Sequence, residues 1–277
     1  MENILKQEDI NSLKHNKFIC AGEIDLIKSK IIFHGVGNVI FIKNLENNKF
    51  QLVNSEINFF GNYNLLFIDA GKAKYTFNLH MFHNSVCHIG ANNYFNPYGE
   101  ILRLRCAEEK NIFIGDDGMF SSNIEICVSD SHLIFDSKTF QRVNYAKSIY
   151  IGDHVWLGRL TGVLKGTKIG SGAIVGTRSV VSGKKIPSNT SWAGAPAKQK
   201  GSDVFFVGYN AQPYNAKDIE LHSRYESDRW VFGNDETTIE FEQIEKDLSE
   251  LSTPMDKVNY LVNLNNKKGK NRFFISC

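Results

Sequence analysis

From Ile151 onward an aliphatic residue falls at every sixth position, at Ile151, Leu157, Val163, Ile169, Val175 and Val181, through the segment IGDHVW LGRLTG VLKGTK IGSGAI VGTRSV VSGKKI. Polar and small residues fill the intervals, and four of the six hexads carry Gly in second place: Gly152, Gly158, Gly170 and Gly176. A period of six fits neither an amphipathic helix, with apolar positions three and four apart, nor an ordinary hairpin strand, which alternates at two. It predicts three short strands closing a triangular coil of about 18 residues, with coils stacked at about 4.8 Å and the aliphatics filling the prism. The glycines suit corners, where a side chain would crowd the turn or φ must be positive. The fold class is therefore all-β, a parallel β-helix.

A second block in the same pattern, IGDDGM FSSNIE ICVSDS, opens its hexads on Ile114, Phe120 and Ile126. The next aliphatic is due at position 132, but the register resumes only at Ile151, nineteen residues later. That slip predicts a looped-out segment, HLIFDSKTFQRVNYAKSIY, pushed out over the surface of a rigid scaffold, where function is often carried. Further upstream, Ile42, Phe59, Phe77, Phe95 and Ile114 follow one another at 17, 18, 18 and 19 residues, about one coil each. The spacing divides the chain into a lead-in over 1–29 (a short helix and a strand), irregular coils over 30–110, the regular hexad core over 111–200 and a C-terminal extension over 201–277. A separate small β-domain over 30–110 is the alternative. In the extension, Ile239, Ile244, Leu248 and Leu251 recur at helical spacing, and Pro254 suits the first position of another helix. This mixed, helical tail is expected to cap the open end of the prism or to pack on a neighbouring subunit, since solenoid ends need covering.

Composition narrows the class of function. The 277 residues are 42% hydrophobic, enough for a sizeable core, and the formal net charge of +2 offers no basic field for nucleic acid. The five cysteines, at 20, 87, 106, 127 and 277, lack CxxC spacing and suggest reduced thiols in a cytosolic protein. The N-terminus carries acids without an uninterrupted apolar run, and no later stretch is long enough for a bilayer span. The expected setting is the cytoplasm, without membrane insertion.

IYIGDHVWLG, the hexads after it and the terminator IPSNTSWAGAPAK together resemble the hexapeptide-repeat acyltransferases, over about residues 112–200. His132 in SDSHLIFD and Trp156, twenty-four residues apart, resemble within that group the His and Trp pair of the bacterial O-acetyltransferases that modify sialic-acid capsular polysaccharides. The resemblance implies a left-handed helix, against the usual right-handed crossover, assembled as a homotrimer with active sites between prisms. It implies acetyl-coenzyme A along the groove at the C-terminal coils and a carbohydrate acceptor toward the looped-out segment. It also implies direct transfer without an acyl-enzyme, with His132 as the base that removes the acceptor hydroxyl proton, work suited to a neutral imidazole. Asp130 and Asp136 are the carboxylates near enough in sequence to orient that ring. The coenzyme contacts carried over are Trp156, Arg159, Thr177, Ser182 and Lys184, with Lys185 and Lys198 added by charge. Arg159 stands where the group commonly has a small residue, and one residue is inserted before Ile186. His154, where the group often has Asn, reads as a surface or acceptor-side residue.

Three other readings stay open on the sequence. One is an acetyltransferase for a small acceptor, such as a sugar nucleotide, a galactoside or serine. The second is a zinc enzyme like the γ-type carbonic anhydrases, with His83 and His88 at H-x4-H spacing and His80 nearby. The third is a non-catalytic solenoid scaffold. The VWLG and AGAPAK elements favour the acyltransferase, for which no metal is expected.

Overall fold

The computed structural model describes residues 1–71, 74–267 and 269–277, with the side chains of 44–46 left aside. Among the described residues the chain winds as a three-sided prism, each side a ladder of parallel strands. Side one runs from Lys30–Phe33 through Phe77–Met81, Leu102–Cys106, Glu125–Cys127 and Gly162–Leu164 to Val180–Ser182. Side two runs from Lys17–Cys20 through Leu65–Gly71, Val86–Ile89, Ile112–Ile114 and Ile149–Ile151 to Lys185–Ile186. Side three begins with a three-stranded sheet ending at Lys74–Tyr75 and continues as a six-stranded sheet that includes Met119–Phe120, Trp156–Leu157 and Ile174–Val175. The coils therefore form one continuous solenoid that already includes Lys17, so residues 17–29 belong to it and no separate β-domain occupies 30–110.

The hexad aliphatics Ile151, Leu157, Val163, Ile169, Val175 and Val181 are fully buried along the prism axis, in one cluster with Ile42, Phe59, Phe77, Phe95, Ile114, Phe120 and Ile126. Burying each such side chain favours folding by about 1.5–3 kcal/mol. Between sides one and two, Asn side chains replace the missing strand bonds: Asn38 N–H donates to Asn16 Oδ1, Asn64 N–H to Asn38 Oδ1 and Ser85 N–H to Asn64 Oδ1, each at 3.0 Å. Between sides two and three the five later coils each place a residue in the left-handed region, in turn Asn92, Asp117, His154, Gly172 and Asn189.

An antiparallel strand is added to side one at the start of the solenoid and to side three at its end. Glu2–Ile4 pairs with Lys30–Phe33 at the start, and Ala197–Gly201 folds back on Ser191–Gly194 at the end, where Trp192 packs on the last of the core.

The tail does not cap the prism end, as the sequence suggested, but lies along side two of its own prism. Helices α1 (Ala216–Leu221), α2 (Phe241–Glu250) and α3 (Pro254–Asn266) follow the solenoid. Phe241, Ile244 and Leu248 of α2, with Val258, Leu261 and Leu264 of α3, pack on the outward residues Val39, Leu65, Phe67, Val86, Phe113 and Tyr150. Thr253 caps α3 by accepting from Asp256 N–H at 3.2 Å, with Pro254 in the first turn where its missing N–H costs nothing.

Candidate active site

The phase break forms a finger at the corner between sides one and two. Its root is held by charge: Asp130 accepts from Lys165 Nζ at 2.5 Å and Asn144 Nδ2 at 2.9 Å, which together keep its carboxyl below the usual range. Arg142 reaches Glu108 on the preceding coil at 2.7 Å. Beyond the root the chain is a small antiparallel hairpin, with Val143 N–H donating to Ile134 O and Asp136 N–H to Gln141 O. Asp136 caps the tip, accepting from Thr139 N–H and Lys138 N–H, which lowers its pKa. Both carboxylates considered as orienters of His132 are thus engaged elsewhere. The His132 backbone is fixed, its carbonyl accepting from Asn144 Nδ2 at 2.7 Å, while its ring is exposed without a hydrogen-bond partner among the described residues. The finger also exposes Leu133, Ile134, Phe135, Phe140, Val143 and Tyr145, an apolar surface that water does not favour.

Trp156 lies on the outer face of side three, in register with Met119 and Ile174 on the neighbouring coils. It is half-buried against Phe206, 5.7 Å between ring centroids, and its Nε1 is buried without a hydrogen-bond partner among the described residues. His154, two residues earlier, is not a surface residue. Its ring is stacked between Phe206 at 4.0 Å and Trp230 at 3.5 Å, and Nε2 lies 2.9 Å from the Phe206 carbonyl. Burial lowers its pKa, so this histidine is a neutral peg that fastens residues 204–232 beside Trp156.

The other coenzyme candidates divide between sides. Arg159 and Thr177 share the corner after side three, exposed, with Thr177 Oγ1 donating to the Arg159 carbonyl at 2.7 Å. Ser182 is exposed on the outer face of side one, and Lys198 is exposed on the closing hairpin. Lys184 stands 5.6 Å over the Trp192 ring at the prism end. Lys185 is not a free cation: it pairs with Glu242 of α2 at 3.0 Å, beside Lys168 at 2.6 Å. Burial would raise the Glu242 carboxyl, but the two lysines bring it down to about 2.

The three histidines of the zinc reading do not meet. His80 is on side one, His83 is on the corner accepting from Asn62 N–H, and His88 is buried on side two between Phe67 and Phe113, its Nδ1 3.0 Å from Ile114 O. Among the described residues no group of three His, Cys, Asp or Glu side chains is placed to hold a metal ion.

A buried charge cluster passed unread in the sequence. The motif IGD occurs at 114–116 and again at 151–153, and the register stacks Asp116 and Asp153 on successive coils. Arg272 from the tail answers both: its Nε and Nη2 donate to Asp153 at 2.7 Å each, and Nη2 lies 2.9 Å from Asp116. The strap it anchors runs past Gly152 and Gly170, where an added Cβ would come within 3.1 Å of the Phe273 and Ile275 Cβ atoms.

Residues 148–183 match the family described as bacterial transferase hexapeptide (six repeats). The chain is 33% identical over 110 residues to the polysialic acid O-acetyltransferase of Escherichia coli O1:K1, covering 40% of this chain and 34% of that one. It is 32% identical over 136 residues to the galactoside O-acetyltransferase of Lactococcus lactis, covering 48% and 60%. It spans less than two thirds of either relative. Among solved structures, the polySia-specific acetyltransferase NeuO superposes with a TM-score of 0.62 at 26% identity, over 76% of this chain and 94% of that one. The fold is a left-handed β-helix with hexapeptide repeats over residues 148–183, and over part of its length the chain is similar to bacterial O-acetyltransferases.

Proposed function

We propose that the protein is an acetyl-coenzyme A-dependent O-acetyltransferase acting on a hydroxyl of a sialic-acid-containing, capsule-type polysaccharide, with His132 as general base. The observation that carries the reading is the coil lengthened to 37 residues between Phe113 and Tyr150, which forms a finger whose fixed backbone holds His132 out from the scaffold. The similarity to a polySia-specific acetyltransferase over nearly the whole of that chain supports the acceptor class.

His132 stands on the finger at the corner between sides one and two, whereas Trp156 lies on side three, beyond the face that α2 and α3 cover. One protomer therefore keeps them apart, and a shared site takes His132 from one copy and Trp156 from the next. A cyclic homotrimer supplies this arrangement, with the finger's apolar residues on the neighbouring prism. In such a site the acceptor oxygen attacks the thioester carbonyl carbon as the His132 imidazole takes its proton. The tetrahedral oxyanion then collapses, the C–S bond breaks, and the coenzyme thiolate leaves with the proton returned by the imidazolium. The products are an acetyl ester and the free thiol. No serine or cysteine nucleophile takes part. Trp156 lines the coenzyme arm, its unpaired Nε1 free to donate, and Arg159, Thr177, Ser182, Lys184 and Lys198 are the remaining candidate contacts. The cytoplasm holds the coenzyme, and among the described residues no helix is long and apolar enough to cross a membrane.

Incubation with acetyl-coenzyme A and sialylated, galactoside and other glycans, following thiol release, tests the reading. Release that depends on sialylated acceptors supports it, and transfer to galactosides alone would favour the small-acceptor reading that the Lactococcus lactis relative suggests. Absence of coenzyme binding would leave a scaffold.

A further inference from the structure

The corner that carries the finger also carries a stack of rings. His34 and Phe60 face each other at 5.0 Å between centroids and 15° between planes, and Phe60 and Phe82 at 5.5 Å and 26°. The register makes this a one-per-coil column: the residues following Phe33, Phe59, Met81, Cys106 and Cys127 are His34, Phe60, Phe82, Ala107 and Val128, and the strand ending at Cys127 is set one residue along, so that Ser129 stands level with Ala107. The column of rings stops at Ala107. Where a fourth ring would stand there is a groove of about 640 Å³, within the range of about 300–1,000 Å³ usual for small-molecule sites. Phe82 forms one wall and Ser129, Asp130 and Ser131, the residues leading into His132, form the other, with Arg105 also lining the groove. One face of Phe82 is taken by Phe60, yet Phe82 remains 37% exposed. The acids nearby are already engaged: Glu108 by Arg142, Asp130 by Lys165 and Glu109 by Asn84.

We infer that this gap is the acceptor subsite, in which a pyranose ring of the glycan takes the place of the missing fourth ring and lays its apolar C–H face on Phe82, above Ala107. The inference rests on the acetyltransferase reading for its sugar and on the interrupted column for its place. An aromatic face is electron-rich and attracts polarised C–H groups, while hydroxyls around the sugar's rim meet Arg105, Ser129 and Ser131. Ala107 is then a specificity residue, small so that a sugar can enter, and the subsite lies three residues from the base at the finger's root.

Ala107→Phe completes the column and closes the gap. With α2,8-linked sialic acid oligomers as the probe, it is expected to raise the acceptor KM at least tenfold and to leave the acetyl-coenzyme A KM within about twofold. Phe82→Ala and the gentler Phe82→Leu remove the platform and should raise the acceptor KM with smaller change in kcat. Unchanged acceptor KM in Ala107→Phe, at native oligomeric mass and melting temperature, overturns the inference. Saturation-transfer NMR on the same proteins separates it from the reading it rests on. A wild-type chain that binds the oligomers through Phe82, loses them in Ala107→Phe and yet releases no thiol keeps the subsite and refutes the transferase. A wild-type chain that releases thiol with the oligomers, while all three variants bind them normally, does the opposite.

Discussion

Arg272→Leu removes the cation that pairs with Asp153, a buried carboxylate, and with Asp116 stacked above it. Breaking a buried ion pair by deleting one partner costs about 3–5 kcal/mol, because the remaining charge stays desolvated. For a chain of this size that corresponds to a fall in melting temperature of roughly 6–20 °C. The pH dependence gives the sharper test. Burial pushes the Asp153 carboxyl up from its ordinary value, and Arg272 pulls it back down. In the variant burial and the Asp116 charge push upward against the remaining Asp116 N–H bond, without the pull of Arg272, so the folded-state pKa stands further above the unfolded one. A carboxyl raised on folding favours the folded state while protonated and loses that contribution as pH rises through its folded pKa. The variant should therefore be closest to the wild type near pH 5 and fall furthest behind near pH 7.5, and Asp153→Asn added to Arg272→Leu should restore part of the loss. Circular-dichroism melts from pH 5 to 8 measure this. A shift below about 2 °C, or a deficit equal at both ends of the range, would refute the argument that the tail is fastened by an ion pair.

His132→Ala should retain its fold and oligomeric mass and lose about 10²–10⁴-fold in turnover, the usual range for a general base; turnover at the wild-type rate removes His132 from the chemistry. Trp156→Ala should raise the acetyl-coenzyme A KM with assembly intact, read by steady-state kinetics and light scattering, and loss of assembly would make the residue structural instead. Phe135→Ser combined with Phe140→Ser strips apolar area from the finger and should make the proposed trimer dissociate on dilution in sedimentation runs, whereas an unchanged mass at all concentrations contradicts finger docking. Lys165→Gln frees Asp130 and loosens the finger root, so kcat should fall with little change in coenzyme KM; equal kinetics would show that the root needs no ion pair.

The regular coils were readable because their inward residues are aliphatic at a fixed interval; in the irregular ones Phe59, Phe77 and Phe95 do fill the axis, but their 18-residue spacing is not the coil length, since Phe41, Phe67, His88 and Phe113 pair in turn at 26, 21 and 25 residues and Phe95 lies on a different side from Phe59 and Phe77. The placement of the tail was not read, although a signal existed. LLFI at 65–68, IFI at 112–114 and IYI at 149–151 are apolar on both faces, as strands covered on both sides must be. Helical spacing around Ile244 and Leu248 showed that α2 forms but not which surface it covers. His154 was misjudged because nothing local in the sequence announces Phe206 and Trp230, fifty and more residues on, as its stacking partners. The Arg272 cluster has its only sequence trace in the repeated IGD, two acids one coil apart that call for a distant cation. The finger was legible from the phase slip, whereas the carboxylates beside His132 were assigned by proximity and serve to hold the finger.

The central claim is that an acetyl-transfer site is built from His132 of one copy and Trp156 of the next. Co-expressing His132→Ala and Trp156→Ala chains under two different tags and purifying through both selects mixed trimers, in each of which one of the three sites carries an intact pair. At low acetyl-coenzyme A, where each parent variant is nearly silent, these mixed trimers should release thiol at about one third of the wild-type rate. Mixed trimers no more active than their parents would contradict the account, because they would place both residues in sites made by a single chain.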